Sequence, residues 1–187
     1  GCSIKNFKIL KDNKTTIVNN LKNLKKVDLI ITTGGVSVGK KDLIKHALNE
    51  LNFRIKFWKV SVMPGKPLLF GTLKKIPLFG LPGNPVSSYV CFMLFVLSAI
   101  NKLNCNEIIK IKTKCLNLKN DFYHSSDRTA YLRGRIITTK NLEFVEVFKK
   151  QDSSMLKSLA DSNCLIKIKP CSKLFKKNTK LEIIYFA

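Results

Sequence analysis

Two glycine-rich junctions hold the residues best suited to chemistry: Asp28-Leu-Ile-Ile-Thr-Thr-Gly-Gly-Val-Ser-Val-Gly39 and Leu78-Phe-Gly-Leu-Pro-Gly-Asn-Pro-Val-Ser87. Each joins an apolar, strand-like run to a helical pattern. Such junctions aim backbone N–H groups and a helix N-terminus at one spot, which suits phosphate or another oxyanion. Gly34, Gly35, Ser37 and Gly39 in the first, with Pro82, Gly83 and Asn84 in the second, are the candidate phosphate contacts. The expected ligand is a polyanionic small molecule. Turn geometry alone, or helix capping by Asn84 ahead of Pro85, is the competing explanation.

Gly34, Gly39 and Lys40 satisfy the GxxxxGK spacing of a P-loop, but Lys41 stands where Ser or Thr must hold Mg²⁺. Nucleotide triphosphate hydrolysis of that type is excluded, while an anion cradle is not. Two carboxylates fall at loop positions: Asp12 after the first strand-like run and Asp42 just beyond the first glycine loop. Such a pair can hold Mg²⁺ or position water, because hard cations prefer oxygen ligands. Pro64-Gly-Lys-Pro67 fixes one cation, Lys66, between two prolines.

The elements that must position these residues alternate at first. Ser3 to Ile9, Val27 to Thr33 and Phe53 to Val62 read as strands, and Lys14 to Lys25 and Asp42 to Asn52 as amphipathic helices. Leu68 to Leu73 and Ile76 to Leu81 form a hairpin around Lys74-Lys75, followed by a helix from Pro85 to Leu103. This pattern predicts parallel βα units in a three-layer α/β domain over 1–104. After the polar break Asn104-Cys-Asn-Glu107 the period becomes two. Ile108 to Leu116, Ala130 to Thr138, Leu142 to Phe148, Leu165 to Ile168 and Leu181 to Phe186 read as strands, with one helix at Ser153 to Ala160. A small β-rich domain over 107–187 is expected.

Composition narrows the function classes. With 45% hydrophobic residues in 187, the chain can bury a core. Its formal charge of +22 comes from 34 basic residues, all lysine except Arg54, Arg128, Arg133 and Arg135. They are spread along the whole length without an aromatic-interleaved stripe, so specific nucleic-acid binding is not expected. The six cysteines form no CxxC and the two histidines, His46 and His124, are far apart, which argues against structural zinc and a disulfide framework. Val86 to Ile100 is shorter than a bilayer span and carries serine, so no membrane partner is expected. Reduced thiols and the lack of a leader pattern favour the cytoplasm. Because Gly1 starts the chain partway into an α/β pattern, a fragment of a longer protein is expected.

Asp28 to Lys45, Phe57 to Gly71 and Phe79 to Ser87 together resemble the molybdopterin molybdenumtransferase family, which includes bacterial MoeA and the E-domain of gephyrin. The later half resembles the family's C-terminal β-domain through Arg128-Thr-Ala-Tyr-Leu-Arg-Gly134 and Gln151-Asp-Ser-Ser-Met-Leu-Lys-Ser-Leu159. The resemblance implies a MogA-like molybdopterin-binding α/β domain lacking its first strand and helix, followed by that β-domain. It also implies insertion of molybdenum from molybdate into adenylylated molybdopterin, with Mg²⁺-dependent release of AMP, by a homodimeric full-length transferase. Asp12 and Asp42 take the place of the family's catalytic and metal-binding acids, and Lys66, Pro67, Ser87, Arg128 and Ser153 that of its molybdate pocket. A tetrahedral dianion suits that set of guanidinium, ammonium and hydroxyl donors. Met63 stands where many relatives carry a second basic residue, and Asp152 adds a negative charge beside Ser153; each is expected to weaken the anion pocket. The alternative is a non-catalytic molybdopterin-binding or scaffold protein.

Overall fold

The computed structural model describes residues 2–35, 43–104, 111–152 and 155–186. The chain divides into two units, residues 1–60 with 65–109 and residues 61–64 with 110–187. Ser61 to Pro64, which the sequence reading leaves inside the α/β part, thus belongs with the later residues.

In the first unit α1 is Lys14–Lys22, β1 Ile30–Thr33, α2 Leu43–Glu50 and β2 Arg54–Trp58. After β3 (Val62–Met63), which belongs to the second unit, come β4 (Leu69–Leu73) and β5 (Ile76–Leu81). Asn13 starts α1: its extended backbone carries a side chain that accepts from Thr16 N at 3.1 Å, satisfying a free helix donor. The sheet order is β1-β5-β4-β2. Strand alternation sends Leu69 and Leu78 to one face, against Ile17, Val18 and Leu21 of α1 and Ala47 and Leu48 of α2. Phe70 and Phe79 go to the other, against Cys91 and Val96 of the following helix. Three layers result.

Two expectations need correction. The sheet is mixed: β1 and β5 are parallel, but β4 runs antiparallel to β5 and to β2. A two-residue connection can only join antiparallel strands, and Lys74 and Lys75 make it with φ of 50° and 73°, both left-handed. Ser3 to Ile9 forms no strand, and Ile4 and Phe7 are more than four-fifths exposed. A strand needs a neighbour for its backbone donors and acceptors, and none of the described strands pairs with this segment.

The helix from Pro85 is continuous to Leu103 but changes pitch. It comprises α3 (Pro85–Cys91), a π turn over Phe92–Val96 and α4 (Leu97–Leu103). At 19 residues it is, by length and composition, long and apolar enough to cross a bilayer, which Val86 to Ile100 alone is not. Its fully buried residues lie between Val86 and Val96.

The second unit contains β3 with β6 (Thr113–Leu118), β7 (Phe122–Ser126), β8 (Thr129–Thr139), β9 (Leu142–Val147), α5 (Leu156–Ala160), β10 (Cys164–Ile168), β11 (Cys171–Phe175) and β12 (Lys180–Tyr185). The sheet order β10-β12-β6-β9-β8-β3 closes on itself because β10 also pairs with β8. Closure removes the open edges that a free sheet exposes. Leu116, Leu118, Leu132, Val145, Ile166 and Ile183 fill the core. Strands β7 and β11, absent from the sequence reading, pair only with each other, so Tyr123 and Leu174 face solvent and break the apolar alternation.

His124 on β7 is 7% exposed, and its Nε2 has no hydrogen-bond partner among the described residues. Burial lowers its pKa from the ordinary 6.5. The unfolded chain therefore binds this proton more readily, so the stability present above about pH 6.5 is lost as pH falls below that value. Thermal melts from pH 7.5 to 5 should show a steeper loss for the wild-type chain than for His124→Leu. Equal slopes would mean that His124 charges freely in the folded state.

Candidate functional site

The two glycine junctions meet. Because β1 and β5 are adjacent and parallel, with Thr33 in register with Leu81, both strands end at the same edge of the sheet. Gly34 N donates to Leu81 O at 3.1 Å, tying the first junction to the second. A Cβ built on Gly83 would lie 3.3 Å from Gly34 Cα, so the two backbones touch where any side chain would intrude. Gly34 and Gly35 have φ of 82° and 67°, a left-handed turn that only glycine adopts without strain. Two positions before Gly34, Thr32 Oγ1 is shut off from solvent without a partner among the described residues.

Asn84 sets the helix start. Its Oδ1 accepts from Ser87 N at 3.0 Å and from Ser87 Oγ at 3.2 Å, while Pro85 occupies the first helical position, where a missing N–H costs nothing. Ser87 is buried, and its hydroxyl proton is committed to Asn84; its lone pairs remain. One helical turn on, Cys91 Sγ donates to Gly65 O at 3.6 Å, which lays the Pro64-to-Pro67 loop against the helix face that also carries Ser87. Val60 N donates to Lys66 O at 2.9 Å and Leu68 N to Gly65 O at 3.2 Å, fixing the loop's backbone. The Lys66 side chain stays exposed and Pro67 is half-buried. Burial pushes the Cys91 thiol up to about 12, so it acts as a packing group rather than a nucleophile.

Asp12 is exposed in the turn before Asn13. Ser37, Gly39, Asp42 and Ser153 lie outside the described residues. Among the described residues no group of three or more His, Cys, Asp or Glu side chains is placed to hold a metal.

In the second unit Arg128 precedes β8. Its Nη1 donates to Val62 O at 3.2 Å and its backbone N donates to Ser126 Oγ at 3.1 Å, while the exposed Asp127 carboxylate lies 3.5 Å from Nε. Arg133, five residues on, is a functional candidate that sequence reasoning missed. It is 1% exposed, with Nε donating to Ser158 Oγ at 2.7 Å and Nη2 to Asp152 O at 2.9 Å. Its backbone holds the Gln151 side chain from both sides, N to Oε1 at 2.9 Å and O from Nε2 at 2.8 Å. Arg133 therefore anchors the segment that leads into Ser153. Arg133 lies on the face of β8 opposite Ala130 and Leu132, away from the barrel core, so alternation marks it as solvent-facing and no local signal could have found its burial beneath Gln151, Asp152 and Ser158.

The structure also gives roles to two departures. Burial lowers the Arg133 pKa, and the charge of Asp152 opposes that shift, so Asp152 serves a buried guanidinium. Met63 packs against the barrel core beside β8, where its apolar character is used.

Residues 1–102 match the family described as "Probable molybdopterin binding domain", and the chain belongs to that family. Residues 116–186 match the "MoeA C-terminal region (domain IV)". Among curated relatives, the "Molybdenum cofactor synthesis protein cinnamon" of Drosophila melanogaster is 40% identical over 144 residues, covering 76% of this chain and 24% of the relative. A molybdopterin molybdenumtransferase of Staphylococcus epidermidis is 29% identical over 185 residues, covering 98% of this chain and 44% of the relative. The chain thus spans less than half the length of either. A crystal structure of a molybdopterin biosynthesis MoeA protein from Pyrococcus horikoshii superposes with a TM-score of 0.77 at 24% identity, covering 95% of this chain and 42% of that one. That likeness bears on the fold.

Proposed function

We propose that the protein containing this chain inserts molybdenum from molybdate into adenylylated molybdopterin, releasing AMP. The observation that carries the reading is the meeting of the two glycine junctions at one sheet edge, which presents backbone donors to a phosphorylated ligand. The molybdenumtransferase relatives support the reaction class. Gly35, Gly83 and Asn84 bind and orient the pterin phosphates, and Gly34, its N–H held by Leu81 O, keeps the two junctions together. Lys66 in the first unit, and Arg128 with the Ser153 hydroxyl in the second, are the groups carried over as donors to the molybdate oxygens, while Ser87, whose proton is held by Asn84, fixes the start of the helix. Pro67 stiffens the loop that carries Lys66.

Two carboxylates form an all-oxygen donor set, which suits Mg²⁺ because that ion commonly keeps several waters and takes one or two carboxylates with substrate phosphates. Asp12 and Asp42 would hold it, and when bound it would neutralise charge developing on the phosphate. Homodimerisation is part of the proposal and accords with α4, which has no fully buried residue and leaves Leu103 44% exposed. So is a cytoplasmic location, in keeping with five free cysteines among the described residues.

The test is AMP release from adenylylated molybdopterin by the natural protein supplied with molybdate and Mg²⁺. Asp42→Asn should slow release by about 100-fold or more, as expected on losing a catalytic carboxylate, with the melting temperature unchanged. A wild-type rate in that variant would remove Asp42 from the reaction. Absence of AMP release by the wild type would favour the non-catalytic binding reading.

A further inference from the structure

The second unit carries a cavity of about 490 Å³ that the proposed reaction does not use. Phe122 and Phe148 give it an aromatic lining, with Tyr123 at its solvent-exposed rim and His124, Asp121 and Glu146 among the polar groups lining it. Its volume falls in the range of small-molecule sites. Its charge runs against the rest of the protein: the chain has 34 basic and 12 acidic residues, yet this lining includes two carboxylates and a single lysine, Lys149.

The two carboxylates are not equivalent. Both oxygens of Asp121 are taken, Oδ1 by Lys177 N at 2.6 Å and Oδ2 by Lys176 Nζ at 3.1 Å. Glu146 Oε1 accepts from Asn120 Nδ2 at 3.1 Å and sees Lys119 Nζ at 3.9 Å, while Oε2 accepts no hydrogen bond among the described residues. Glu146 therefore keeps acceptor capacity for a ligand. The nine-tenths-buried His124 imidazole, with Nε2 unpartnered among the described residues, is a second polar group in this lining with unused bonding capacity.

We propose that this cavity binds a small aromatic cation, an arylalkylammonium, with its ring against Phe122 and Phe148 and its ammonium on Glu146. An anion would meet carboxylates, and a purely apolar ligand would desolvate Glu146 Oε2, which accepts no hydrogen bond among the described residues, without supplying it a donor. An ammonium gains the charge-assisted hydrogen bond and favourable contact with the aromatic faces.

The experiment titrates the full 187-residue chain with tryptamine, followed by NMR of the His124 ring and by calorimetry. Indole-3-propionate, with the same ring and spacer but opposite charge, is the control. Tryptamine should bind in roughly the millimolar range and shift the His124 signals, with the propionate at least about tenfold weaker. Glu146→Gln, which keeps the oxygen facing Asn120, should weaken tryptamine by about tenfold or more. Equal binding of both indoles, no binding of tryptamine at 10 mM (roughly tenfold above the expected range), or a folded Glu146→Gln chain with wild-type affinity would each overturn the proposal. The comparison of the two indoles on the wild-type chain decides it even if the variant fails to fold.

Discussion

Replacing Gly83 with valine should lower affinity for the phosphorylated pterin by about tenfold or more, roughly 1.4 kcal/mol, while leaving the fold largely intact, because the side chain crowds the seam where the anion should sit. The valine Cβ would lie 3.3 Å from Gly34 Cα, a backbone atom held by the bond from Gly34 N to Leu81 O. Neither partner can rotate away, so the junctions must part, and the γ-methyls then occupy the space where the phosphate should sit. Gly83 is exposed and its φ is not in the left-handed range, so the valine backbone itself is unstrained. This makes Gly83 a cleaner probe than Gly34, whose φ of 82° would strain any side chain. Calorimetry with the phosphorylated pterin, beside a thermal melt, separates the two effects. Unchanged affinity would mean that the anion does not use the seam between the junctions.

Much of this arrangement was legible because it depends on local signals. Alternation placed Leu78 and Phe79 on opposite faces of β5, and the Asn84-Pro85 start predicted the helix that follows. What local pattern could not supply was pairing. The hairpin around Lys74-Lys75 was legible and is present, but β2 returning antiparallel beside β4 is a pairing that periodicity does not report. The β7–β11 ribbon was invisible because one of its faces is solvated. At the site, Gly34 and Gly83 could be named from sequence, but their contact depends on which strands are neighbours. The same limit hid the bond from Arg128 to Val62, whose partners are 66 positions apart. Asp152 looked like an unfavourable charge because its effect on Arg133 is tertiary.

Arg133→Met should destabilise the second unit by about 1–3 kcal/mol, the usual cost of leaving buried acceptors unsatisfied, since the one charged neighbour, Asp152, is exposed. The volume change is small, so the loss comes mainly from polar groups rather than a cavity. Ser158 Oγ and Asp152 O would lose their guanidinium donors, and the negative charge of Asp152 would lose the cation that it favours. Ser158 also donates to Met155 O at 2.7 Å, so the disturbance reaches both sides of residues 153 and 154. Arg133→Lys keeps the charge but cannot span both acceptors with a planar fork, and should fall between wild type and Arg133→Met. Urea unfolding of the full chain measures the stability order. If Arg133 also positions Ser153 for molybdate, Arg133→Lys in the natural protein should raise KM for molybdate more than it lowers kcat, at a temperature where both proteins are folded. A midpoint for Arg133→Met within experimental error of wild type would show the buried guanidinium to be dispensable. A wild-type KM in a destabilised Arg133→Lys enzyme would confine its role to holding the barrel together.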